Sequence, residues 1–82
     1  MKLTEPQARV LSYLARRKED DGPPSGPEIS KALGHPSYWA AGKLSSLERR
    51  GLVERLGTSF FGGNCYRITP AGRNALDKEN AP

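Results

Sequence analysis

Ser25-Gly26-Pro27-Glu28-Ile29-Ser30-Lys31-Ala32-Leu33-Gly34-His35-Pro36-Ser37 carries a helix start, a helix stop and a second start within thirteen residues. Ser25 followed three residues later by Glu28 is a capping box, and Pro27 suits the first turn of the helix it opens. Gly34 stops that helix and Pro36 forbids its continuation. Ile29, Ala32 and Leu33 are its expected inward residues. Gly34-His35-Pro36 has the length of the turn joining two helices in a helix-turn-helix unit.

Ser37 is the expected cap of the next helix, which runs to about Arg50 and ends at Gly51. Ala40, Leu44 and Leu47 follow the i, i+4, i+7 spacing and face a core. That leaves Tyr38, Trp39, Ala41, Gly42, Lys43, Ser45, Ser46 and Arg49 toward the outside. Glycine costs a helix roughly 1 kcal/mol relative to alanine, so Gly42 on this face suits close approach of another surface.

On the N-terminal side, Thr4 through Lys18 reads as a helix, with Thr4 and Gln7 as a capping box. Val10, Leu11, Leu14 and Ala8 form its apolar stripe, and Arg16, Arg17 and Lys18 complement its C-terminus. Glu19 to Pro24 is a helix-breaking loop. On the C-terminal side, Leu52 to Thr58 and Cys65 to Thr69 read as two strands around a glycine-containing hairpin loop, Ser59 to Asn64. Tyr66 and Ile68 share the inward face and Arg67 points away. Thr69-Pro70 starts a last helix, Ala71 to about Leu76, in which Arg73 can pair with Asp77; residues 77–82 are an expected disordered tail.

The chain has 82 residues, enough for one small domain. Hydrophobic residues make up 35% and charged residues 27%, and no apolar run approaches the roughly 20 residues of a membrane span. The N-terminus, Met1 to Pro6, lacks a secretory apolar stretch, so a cytoplasmic, nucleoid-associated location is expected. One cysteine and one histidine, Cys65 and His35, make neither an internal disulfide nor a zinc site. No nucleophile–base–acid set and no phosphate loop after a strand are present, so the chain reads as neither enzyme nor cofactor protein. The charge is informative by place: Lys43 to Arg73 holds six basic residues against two acidic, an excess of four that equals the net +4 of the chain. Such clustering suits a polyanion, although a charge run also serves simply as a solvated face.

Leu47-Glu48-Arg49-Arg50-Gly51-Leu52-Val53-Glu54-Arg55, Tyr66-Arg67-Ile68-Thr69-Pro70-Ala71-Gly72-Arg73 and Leu3-Thr4 through Leu14 together resemble a winged helix-turn-helix of the MarR or PadR type. The resemblance implies an α+β fold over residues 1–76, with a three-helix core, a two-stranded β-hairpin wing and a short C-terminal helix. It implies double-stranded DNA binding by a small phage or bacterial transcriptional regulator, with a recognition helix at about 37–50 in the major groove and a wing at about 54–68 beside it. Ser37, Tyr38, Trp39, Lys43, Ser46 and Arg49 are the expected contacts on the helix, and Arg55, Thr58, Ser59, Asn64 and Arg67 those on the wing. Arg49 has the duller alternative of complementing its helix C-terminus.

The long helices that build dimers in those families have no counterpart here, so a monomer or weak homodimer is expected. Two further readings stand beside this one. An excisionase-like architectural factor would bind DNA in arrays. A protein-interaction module would use Trp39, Phe60 and Phe61 as its partner surface, two adjacent phenylalanines being unable to point inward together on one strand.

Overall fold

The computed structural model describes residues 3–17, 19–58 and 63–80, and for Glu19, Glu79 and Asn80 the backbone alone. In order these form α1 (Glu5–Arg16), a 3-10 turn (Glu19–Asp21), α2 (Gly26–Ala32), α3 (Trp39–Arg49), β1 (Val53–Thr58), β2 (Asn64–Ile68) and α4 (Pro70–Asn80).

The reciprocal capping box of α1 forms as expected: Gln7 N donates to Thr4 Oγ1 at 3.3 Å and Thr4 N donates to Gln7 Oε1 at 3.1 Å. Val10, Leu11 and Leu14 are buried. The helix ends earlier than its sequence suggests, because Arg17 turns extended and folds over the following loop. Its guanidinium donates to Tyr13 Oη, to the carbonyls of Asp21 and Gly22, and pairs with Glu28. Burial disfavours the Arg17 charge, but the hydrogen bonds and charges of Glu28 and Tyr13 outweigh it and raise its pKa above the ordinary arginine value. Glu28 is thereby drawn away from the capping box. Ser25 still caps α2 by accepting from Glu28 N at 3.2 Å.

Two expectations for the helix-turn-helix are corrected. Ala32 is exposed, and Ser30 is fully buried in the place expected of an apolar residue, beside Ile29, with Leu33 half-buried. Ser37 does not cap α3; the cap position falls to Tyr38, which supplies no side-chain bond. The reason is a neighbour ten residues back. Ser30 Oγ donates to the Gly26 carbonyl at 3.0 Å and accepts from Ala40 N at 2.9 Å, so a first-turn donor of α3 is met from α2. Ala40, Leu44 and Leu47 of α3 reach zero exposure and join the α1 and α2 residues in a single core.

Gly51, at φ +76°, terminates α3 in a left-handed turn, with Leu52 N donating to Leu47 O at 3.0 Å. The strands pair antiparallel with Val53 opposite Ile68 and Glu54 opposite Arg67, and a bulge between Arg55 and Gly57 shifts the register. Tyr66 and Ile68 close the core from below, as their alternation with Arg67 predicts. Chain from before α2 joins the hairpin edge: Ser25 bridges Cys65, and Tyr66 N donates to Pro24 O at 3.0 Å.

Helix α4 starts on Thr69, whose Oγ1 accepts from Gly72 N at 3.0 Å and donates to Gly51 O at 2.7 Å. It runs to Asn80 rather than stopping near Leu76: Leu76 is buried, and Lys78 and Glu79 favour helix with no breaker before Pro82. Arg73 is exposed and makes no ion pair with Asp77.

Replacing Ser30 by alanine strips the Ala40 amide of its acceptor, and the expected cost is about 1–3 kcal/mol in chemical denaturation, with faster hydrogen exchange at Ala40. A Cβ at Gly72 would overlap the Leu52 carbonyl and the Ile68 side chain. Gly72→Ala is therefore expected to destabilise by about 1–3 kcal/mol through overpacking, whereas Gly42→Ala, with nothing within 4 Å of its Cβ position, should be neutral or stabilising in the same assay.

Candidate nucleic-acid interface

Helix α3 buries one side and offers the other. Its outermost row, at i, i+4, i+7 and i+11, is Tyr38, Gly42, Ser45 and Arg49, all exposed, with Ala41 exposed beside it. Tyr38 is 77% exposed, the most open large apolar residue among the described residues. The surface is convex and small-featured. A groove of about 390 Å³ between the end of α1, the wing and the start of α4 includes no residue of α3. An exposed helical ridge suits an extended partner rather than a small molecule.

The expected contacts divide accordingly. Tyr38 and Arg49 stand on the outer row, and Ser37 is exposed at its N-terminal end. Trp39, Lys43 and Ser46 lie on the flank facing α1 and are half-buried. Ser46 Oγ accepts from Gln7 Nε2 at 3.1 Å, which commits it to the α1–α3 contact. Trp39 packs against the core and stacks on His35 at 3.9 Å between centroids and 7° between planes. Lys43 Nζ sits 4.5 Å from the centre of the Trp39 ring and donates to the Trp39 carbonyl at 3.2 Å. Arg9 completes the cluster from α1, with Nη1 3.3 Å from His35 Nε2 and Nη2 donating to Leu33 O at 3.3 Å. Trp39 is thus a packing residue on the shoulder of the turn, not the open stacking surface its place in the sequence suggests.

On the wing, Arg55, Thr58 and Arg67 are exposed and Asn64 is half-buried. Both arginines carry internal partners. Arg67 Nη2 donates to Glu54 Oε1 at 2.8 Å across the strand pair, and Arg55 Nε lies 3.6 Å from Glu48 Oε2 on α3. Exposed pairs of this kind contribute about 0–1 kcal/mol to stability, so a phosphate can displace the carboxylate at little cost. Ser59, Phe60 and Phe61 lie outside the described residues.

Two exposed residues deserve a place beside the expected contacts. Ser45 completes the outer row between Gly42 and Arg49, and its seven-residue spacing from Tyr38 is the signal that finds it. Arg9 adds a cation next to the turn, a position no local pattern reveals. Cys65 is a half-buried strand residue, and no group of three or more metal-ligating side chains occurs among the described residues. No helix among them is long and apolar enough to cross a membrane.

The arrangement has relatives. In sequence, the chain is 43% identical over 56 residues to LexA repressor 1 of Pseudomonas putida, an alignment covering 66% of this chain and 28% of that protein. It is 46% identical over 55 residues to the LexA repressor of Pseudomonas aeruginosa, covering 65% and 27%. The chain therefore matches little more than a quarter of the length of these relatives. In structure, it resembles the Staphylococcus aureus MepR–DNA complex with a TM-score of 0.77 at 22% identity, covering 96% of this chain and 58% of that one. A MarR-family regulator from Silicibacter pomeroyi gives a TM-score of 0.75 at 21% identity, with 93% and 49% covered. These two share the winged helix-turn-helix fold, as the resemblance of the three sequence runs to MarR and PadR proteins implies. The family itself comes from the sequence match to the LexA DNA binding domain over residues 1–59, more than half of the chain, and to that family the protein belongs.

Proposed function

We propose that this chain binds double-stranded DNA as a small transcriptional regulator, with α3 entering the major groove and the wing lying along the flanking backbone. The observation that carries the reading is the exposed outer row of α3 in a chain of the LexA DNA binding domain family. Tyr38, Ser45 and Arg49 are the contacts from α3, and Ser37 donates to a phosphate at its N-terminal end. Arg55 and Arg67 release Glu48 and Glu54 to bind phosphate, and Thr58 and Asn64 supply neutral hydrogen bonds. Lys43 contributes charge from the flank. The relatives named as repressors support regulation rather than catalysis as the role of this domain. A cytoplasmic, nucleoid-associated location goes with it.

The open Tyr38 ring next to Ala41 and Gly42 favours a second reading, a protein-interaction module. Salt separates the two. Titration of a labelled mixed-sequence duplex should give binding whose log K falls linearly with log salt, and Arg49→Ala should reduce that slope by about one. No binding at low salt would select the protein-interaction reading.

The wing pairs make an opposite-signed prediction. Glu54→Gln leaves Arg67 without its carboxylate and should tighten DNA binding by up to about fivefold, read by the same titration.

A further inference from the structure

The N-terminal half of α3 is defined by what its exposed surface lacks. In the major groove, amides select adenine, carboxylates select cytosine, cationic side chains select guanine, and apolar contact selects the C5-methyl of thymine. Tyr38, Ala41, Gly42 and Ser45 include no amide, no carboxylate and no cation. The structure also removes the neighbours that could substitute. Lys43 is held over the Trp39 ring and on the Trp39 carbonyl. Glu48 stands in the last turn of α3, on the side of the wing. Arg49 stands a full turn beyond Ser45, where a helix inserted by its N-terminal half has left the base edges for the backbone.

What remains is apolar reach with room for it. The Tyr38 ring is 77% exposed, the Ala41 methyl is exposed, and nothing lies within 4 Å of the Cβ position of Gly42. Two hydroxyls, Tyr38 Oη at the end of its ring and Ser45 Oγ, accompany them, and a hydroxyl serves every base pair.

We propose that α3 reads thymine C5-methyl groups, with Ala41 Cβ and the Tyr38 ring as the specificity-determining contacts and Gly42 as the gap that lets the backbone close on the base edges. This rests on the DNA-binding reading above. Guanine and adenine positions are then left to shape and to the wing, and the preferred sites are duplexes with thymines spaced to meet one turn of α3.

Deoxyuridine substitution tests this without altering the protein. A duplex enriched from a randomised library by the protein itself is compared with copies in which thymines are replaced by deoxyuridine, which deletes the methyl and leaves each hydrogen-bonding group in place. Loss of about fourfold in affinity per methyl read is expected by fluorescence anisotropy, with the salt slope unchanged. Substitution outside the protected footprint should be silent. Ala41→Gly and Tyr38→Ala should each shrink the difference between the two duplexes. Equal affinity for both duplexes, with salt-dependent binding intact, overturns the methyl readout and leaves DNA binding standing. Absence of binding to any unmodified duplex overturns both.

Discussion

The fold hangs on one buried hydroxyl. Ser30 ties α2 to the first turn of α3, donating to Gly26 O and accepting from Ala40 N. It is the buried polar side chain of the described core, and both of its roles are filled by backbone. A helix N-terminus pushed against another helix leaves amides that water cannot reach, and each must find a partner or cost the structure dearly. Here the partner fixes the angle and register of α3 relative to α2. Ala40, Leu44 and Leu47 can then face Val10, Leu11 and Ile29, and the opposite row is delivered outward as a set.

Local signals carried much of this architecture. The Thr4–Gln7 box, the Ser25 cap, the Gly34 and Gly51 stops and the alternation of Tyr66, Arg67 and Ile68 are short-range, and short-range chemistry is legible in a sequence. Where local signals mislead, the reason is a remote partner or an element too short to show a period. Ser37 looks like a cap because nothing in its vicinity reveals that Ser30 already serves α3. Ala32 looks inward because a helix of seven residues offers too few positions to fix a face, and an apolar residue outranks a serine in any periodicity argument. Arg17 reads as a helix-end cation, although its four partners belong to the next loop, to Tyr13 and to α2.

The proposed DNA-binding surface was legible in the same uneven way. Its location followed from the order of elements, and Tyr38, Arg49 and the wing arginines from helical and strand period. Which cations stand open did not follow. The Glu54–Arg67 pair depends on strand register, and the Glu48–Arg55 pair on how the wing leaves α3. Trp39 is held off the outer row by stacking on His35, which Arg9 of α1 meets from the other element, and Lys43 is held by Trp39 in turn. A helical wheel assigns direction, but the neighbours decide whether a side chain remains available.

The junction at the start of α4 has a mechanical consequence. Thr69 Oγ1 is bonded to the last turn after α3 through Gly51 O, Thr69 N to Leu52 O, and Gly72 lies against the Leu52 backbone with no side chain between them. Contact of backbone on backbone has no rotamer to absorb movement. The end of α3, the root of the wing and the first turn of α4 therefore behave as one rigid joint, and α4 is its lever arm. Torque on that lever reaches the outer row of α3 without slack, so the orientation of one sets the orientation of the other.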